Sequence, residues 1–321
     1  MRRFTLLHTL PMIATAIVLL TTSCQKDDLY DGKCKVRFVS DIQDEVTVTR
    51  ADGYTPITED PGFIAGLFVS YGSTAPEYAL QWQNDTLSAD IHLETGDYFF
   101  GGYAPQKDSV RFEPRAKTME IPNIPGLTTE DVLVIAPNST TVSIRDISAR
   151  SKTIALQMDH LLARVTPHFY INSEYAHLRD IHITKVEFIL DNAATYTATI
   201  NYNVDPYRTT WTANNTTDLK VSLFESEQNV DTLLTTAVAY GTCYVSPAQT
   251  VTDNLSMKVT YDVYDKEGTK IRADQTATNL IKKLPATLTA GKNYNLKIQI
   301  IPTYLYVLSD DDEDSVLVIK D

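Results

Sequence analysis

Cysteine, glycine and proline are all scarce in this chain, which holds 3 Cys, 12 Gly and 14 Pro among 321 residues. Three Cys cannot form a disulfide framework at this length, and no CxxC or CxxxH spacing offers a zinc site. So little glycine and proline excludes a collagen-like chain and argues against extended disorder. Basic residues are also few, with 28 Lys and Arg against 41 Asp and Glu. The resulting charge of −13 repels phosphate backbones and anionic headgroups, so a nucleic-acid partner is not expected. No GxSxG, HExxH, P-loop or GxGxxG signature is present, and the chain is not read as an enzyme. Trp82 and Trp211 are the only tryptophans, where a glycan platform needs exposed aromatics.

What is present begins with an address. Arg2 and Arg3 precede an apolar stretch that runs to Leu20 and is followed by Thr21-Thr22-Ser23-Cys24, the pattern of a signal peptide over residues 1–23. His8, Thr9 and Pro11 interrupt the stretch, which falls short of the roughly 20 apolar residues of a spanning helix. Its removal takes two Arg and no acid, leaving a mature chain at −15. Residues 24–33 are polar and read as a tether.

Period-two alternation dominates the remainder and predicts an all-β fold. Met257, Val259, Tyr261 and Val263 alternate with Lys258, Thr260 and Asp262, and Tyr294, Leu296, Ile298 and Ile300 with Asn295, Lys297 and Gln299. Eighteen Tyr suit pleated surfaces. Turn residues predict hairpins at Glu94–Asp97 and Asp265–Gly268. Helical periodicity lasts no more than a turn or two, at Asp159–Arg164 and Ser173–Leu178. Strands without intervening helices predict two antiparallel β-sandwich domains, over 34–150 and 151–321, with a loop at Ile121–Gly126.

Several residues invite chemistry. His160, His168, His177 and His182 cluster in sequence without a recognisable metal-ligand spacing, so no metal or other cofactor is expected. The run Asp310–Asp314 lacks the spacing of a calcium loop and reads as a solvated spacer. Cys34 and Cys243 either pair or lie buried as small thiols.

Four segments carry a resemblance. These are Thr49-Arg50-Ala51, the strand Asp131–Ala136, the stretch Leu156–Val165 and Ala290-Gly291-Lys292-Asn293-Tyr294-Asn295-Leu296. Each is short, but in order and spacing they resemble the fimbrillin superfamily, the lipoprotein subunits of Bacteroidales type V pili. The small residues before Cys24 are similar to the lipobox of Bacteroidetes lipoproteins. The opening Cys24–Cys34 also resembles the anchor subunits of these pili.

The resemblance implies a transthyretin-like topology in both sandwiches. It implies lipidation, including palmitate, at Cys24, outer-membrane attachment through that lipid, and then a place at the cell surface in a fimbria. It further implies cleavage by an arginine-specific protease after Arg50, with Arg37 as the alternative. Loss of the first strand would open a groove for another subunit's C-terminal strand, a form of β-augmentation. The donor would be Val316, Leu317, Val318 and Ile319, or alternatively Tyr304, Leu305, Tyr306, Val307 and Leu308. Other pilus subunits are the implied partners. The competing expectation is a monomeric outer-membrane lipoprotein that binds glycans.

Overall fold

The computed structural model describes residues 33–43, 54–83, 86–136, 141–145, 151–204, 206–226 and 232–301. In chain order the first strands are β1 (Cys34–Gln43), β2 (Tyr54–Pro56), β3 (Ala65–Ser70), β4 (Glu77–Gln83), β5 (Thr86–Ser88), β6 (Ile91–Leu93) and β7 (Gly96–Ala104). Then come β8 (Arg111–Glu113), β9 (Thr118–Pro125), β10 (Leu127–Thr128), β11 (Leu133–Ile135), β12 (Thr141–Ile144), β13 (Ser151–His160) and β14 (Ala163–Ile171). The helix α1 (Ser173–Ala176) precedes β15 (Asp180–Asn201), β16 (Arg208–Glu225), β17 (Val238–Ala239), β18 (Cys243–Val245), β19 (Leu255–Tyr264), β20 (Lys270–Leu280) and β21 (Asn293–Ile300). The fold is all-β.

Three sheets form. The first runs β2-β1-β13-β11-β7-β3-β4-β5, with β12 on β7 and β6 on β1. The second runs β20-β19-β15-β9-β8 with β16 on β15, and the third runs β10-β18-β14-β17 with β21 on β14. Most pairs are antiparallel, as the lack of helical crossovers predicts. Two are not: β1 lies parallel to β13 from Lys35↔Ser151 to Ile42↔Met158, and β14 lies parallel to β21 from Arg164↔Asn293 to Ile171↔Ile300. Parallel neighbours need a long crossover, and here an entire half of the chain supplies it. Each half therefore closes by laying its last strand beside its first.

That closure locates the change of half at Leu161-Leu162, between β13 and β14. The border expected at residue 150 stands just before β13, whose hydrogen bonds run to β1 and β11 of the first sheet. Earlier in the chain, β8 and β9 are paired into the second sheet through β15.

The apolar residues sort into three cores. Val36, Phe38, Leu67, Val69, Phe100 and Leu156 belong to the first, and Phe169, Ile183, Phe188, Val245 and Leu255 to the one in the second half. A third joins the halves, with Phe68, Phe99 and Tyr103 from the first sheet against Met119, Ile121, Ala198, Ile200 and Tyr202. Covered on both faces, β3 is buried at every position and β7 at all but its first two. Continuous apolar runs of this kind carry no alternation.

Local departures have local causes. The hairpin at Asp265–Gly268 joins paired strands β19 and β20, with Gly268 at φ 83° supplying the left-handed turn residue. The hairpin expected at Glu94–Asp97 does not form, because β6 pairs with β1 while β7 pairs with β3, β11 and β12. Asp159–Arg164 is not helical; it is the passage from β13 to β14. Within Ser173–Leu178, residues Ser173–Ala176 are a single helical turn, capped where the Asn172 side chain accepts a hydrogen bond from the Tyr175 amide at 2.9 Å.

The loop expected at Ile121–Gly126 is largely strand β9. Its register on β15 jumps from Tyr196↔Ile124 to Ala198↔Ile121, a bulge that leaves Pro122 and Asn123 outside the ladder. A bulge tolerates proline's missing N–H, and Asn123 takes φ 58° there.

Candidate functional site

Strand β1 is the one element that several of the implied features converge on. Its Cys34, Val36 and Phe38 are buried while Lys35 is exposed, so the strand sets one apolar face into the first core. Phe38 has no exposed surface and meets Phe100 edge-on, with ring centroids 6.1 Å apart. Burying these three side chains contributes a gross gain of roughly 4–8 kcal/mol.

The bed that holds β1 is unequal on its two sides. Along one flank, eight consecutive residues pair with β13. Along the other, β6 covers Cys34–Val36 and β2 covers Asp41–Gln43. Between those two short partners the Ile57 amide donates to the Ser40 carbonyl at 2.9 Å. The Ser40 hydroxyl is itself buried and has no hydrogen-bond partner, an arrangement that costs about 1–3 kcal/mol. The bed would thus hold an apolar side chain better than it holds Ser40.

Arg37 lies within β1, its backbone opposite Thr153. Arg50 lies outside the described residues, in the ten-residue connection between Gln43 and Tyr54, which pair directly with each other. Cys24, the signal peptide, the tether up to residue 32, the acidic run and both C-terminal apolar runs also lie outside them.

Three of the four resembling segments meet in space, which sequence reading did not anticipate. His160 at the end of β13 pairs with Leu133 of β11, and its Nδ1 stands 2.5 Å from the Asp131 carboxylate. The Leu161 amide donates to the Val132 carbonyl at 2.8 Å. On the other side of the crossing, the Gly291 amide donates to the Leu162 carbonyl at 2.9 Å, and the Arg164 amide to the Lys292 carbonyl at 3.0 Å. Gly291 has φ 70°, a turn geometry that favours glycine. These segments form the joint between the halves.

The other histidines are scattered. His168 Nδ1 stands 3.2 Å from the Thr166 carbonyl, His182 bonds the Thr232 hydroxyl at 3.1 Å, and His177 caps α1. Among the described residues no group of three or more His, Cys, Asp or Glu converges as metal ligands. Cys34 and Cys243 are both free and buried in different cores, so they do not pair. Burial pushes the Cys243 thiol well above its usual range, which makes it inert.

Neither tryptophan stands as a platform. Trp82 leans on the first core, and Trp211 leans on the core between the halves with its ring edge-on to Tyr196 at 5.9 Å. A polar hollow of about 730 Å³ opens beside the start of β1, lined by Lys35, Gln81, Gln83, Thr86, Ser88 and Asp90 among others, none aromatic. Among the described residues no helix is long and apolar enough to cross a membrane.

No protein-family model and no curated protein matches the chain. It is similar to the solved structure of a candidate cell adhesion protein from Bacteroides fragilis, at 12% identity over 83% of this chain and 92% of that one, with a TM-score of 0.48. It is also similar to a fimbrial protein from Bacteroides vulgatus, at 14% identity over 84% and 95% of the two chains, with a TM-score of 0.39. A fimbrial protein from Bacteroides ovatus is similar at 12% identity over 89% of this chain and 55% of that one, with a TM-score of 0.41.

Proposed function

We propose that this chain is a structural and adhesive subunit of a cell-surface fimbria, anchored in the outer membrane through lipid on Cys24 until it assembles. Cleavage after Arg50 then releases β1, and another subunit's C-terminal strand takes its bed. The observation that carries this reading is the way β1 is held. It is paired along both edges although it stands only one place in from the end of its sheet, and the ten-residue connection that leads from it to β2 contains Arg50. A cut there converts β1 into a separate peptide held by hydrogen bonds and three buried side chains. A protease needs unpaired, extended backbone, and Arg37 is held inside the ladder opposite Thr153.

Once β1 leaves, β13 presents an unpaired edge above an apolar pocket, a combination that captures a strand. Val316–Ile319 offers large apolar side chains on both faces, and burying the two that face the pocket contributes roughly 3–6 kcal/mol before ordering costs. A donor placing an apolar residue at the Ser40 position would also remove the unpartnered hydroxyl.

The test is to incubate purified precursor with an arginine-specific protease and follow SDS-resistant ladders. Wild type is expected to form them, Arg50→Ala to stay a full-length monomer, and deletion from Ser309 to give cleaved protein that accepts a donor but cannot provide one. Ladders from Arg50→Ala equal to wild type, without a cut at Arg37, would overturn the reading and leave a monomeric surface protein.

A further inference from the structure

The two halves close alike but are not equally complete. In the first, β13 has β1 parallel on one edge and β11 antiparallel on the other. In the second, β21 has β14 parallel on one edge, and among the described residues nothing pairs with its other edge. Beside that edge lies a groove of about 700 Å³, bounded across the way by the end of the edge strand β20. Its floor is apolar, with Met257, Leu280, Ile281, Leu296 and Ile298. Tyr294, Leu296 and Ile298 remain only half-buried, although they alternate with exposed Asn295, Lys297 and Gln299 as a core-facing set should.

The rim of this groove is basic. Lys282, Lys283, Lys292 and Lys297 line it. Lys292 and Lys297 rest over the rings of Tyr294 and Tyr170, and none of the four has an acidic partner among the described residues.

We propose that the groove is the seat of this chain's own residues Tyr304–Asp314, with Tyr304–Leu308 antiparallel to β21 and Asp310–Asp314 on the lysine rim. The tail leaves β21 at Ile301, so a turn over Ile301–Thr303 returns it along the free edge. Tyr304, Tyr306 and Leu308 then fall opposite Ile300, Ile298 and Leu296, all on the core-facing side, as directly opposed residues in an antiparallel pair must be. The same register carries the five acids of Asp310–Asp314 past Tyr294 to Lys292 and its neighbours. Sequence order matches the groove, apolar first and acidic last. The returning strand would take beside β21 the place that β11 takes beside β13.

The acidic run then acts as an ionic latch. It also leaves Val316–Ile319 beyond the latch as the run free to reach a neighbour. The seat itself does not depend on strand exchange, since it concerns one chain alone.

Hydrogen exchange at Asn293–Ile300 tests it, measured on the full chain carrying Cys24→Ser so that no lipid or thiol interferes. Deletion from Tyr304 is expected to speed exchange there by roughly tenfold or more. Should that deletion unfold the second half, the triple variant Lys282→Glu, Lys283→Glu, Lys292→Glu keeps the test open, because these are rim residues whose reversal repels the acids. It is expected to speed exchange at β21 and to abolish the loss of protection that added salt causes in the unmodified tail. Protection should be unchanged on dilution. Equal exchange with and without the tail would overturn the proposal, as would protection that fades on dilution, which would make the occupant a second copy. The protease ladders report on β1 and Arg50 and are read separately.

Discussion

Glu187 is a carboxylate almost removed from water, its side chain 4% exposed, with Lys220 at 2.7 Å and Lys185 at 3.5 Å. Lys185 also reaches Glu225 at 2.8 Å, and Lys258 stands across the ladder on β19. Burial pushes the Glu187 pKa up, but the Lys220 hydrogen bond and the two lysine charges outweigh it and hold the group below its usual value. A depressed folded pKa contributes stability that is present above the unfolded value, 4.5, and is lost as pH falls through the folded one. Glu187→Gln should therefore cost about 1–2 kcal/mol near neutral pH. In denaturant titrations the gap to wild type should close as pH is lowered below that unfolded value. A gap independent of pH would assign the cost to packing instead of charge.

At the scale of the element, legibility followed water. Strands with one wet face, such as β19 and β21, alternate visibly, and the sequence identifies them by residue. β3 and β7 lie between two cores and show no period, and β9 looked like a loop because its prolines are punctuation in sequence and a bulge in the structure. The β9 bulge can be tested directly. Asn123 holds φ 58°, a region that asparagine tolerates and β-branched residues do not. Asn123→Val should cost about 1–3 kcal/mol, while Asn123→Gly should be near neutral. Thermal melts separate these outcomes, and equal losses from both would show that the Asn side chain, not the backbone, is what the bulge requires. For the candidate site, the sequence named β1 and Arg50 through resemblance alone. A parallel pairing across more than a hundred residues leaves no local pattern, so the seat of β1 beside β13 was invisible until the ladder was drawn.

Across the whole molecule, the second sheet decides whether the halves act separately. One stretch of β15, Asp180–Leu190, pairs with β19 of the second half, and the rest, Thr195–Asn201, pairs with β9 from early in the chain. The core they share with the first sheet is aromatic: Phe99 lies 5.6 Å from Tyr202 and 5.9 Å from Phe112, with Lys117 over its face at 4.9 Å. A hinge would need a joint with few buried contacts, and this joint has a continuous strand and a filled core. One cooperative transition is therefore expected. Trp82 reports the first half and Trp211 the joint, each isolated by changing the other to Phe, while far-ultraviolet circular dichroism is weighted toward the long strands β15, β16, β19 and β20. The three denaturation midpoints should coincide. If dichroism retains a later step after both tryptophans have moved, the second half stands alone, and the shared strand does not couple unfolding.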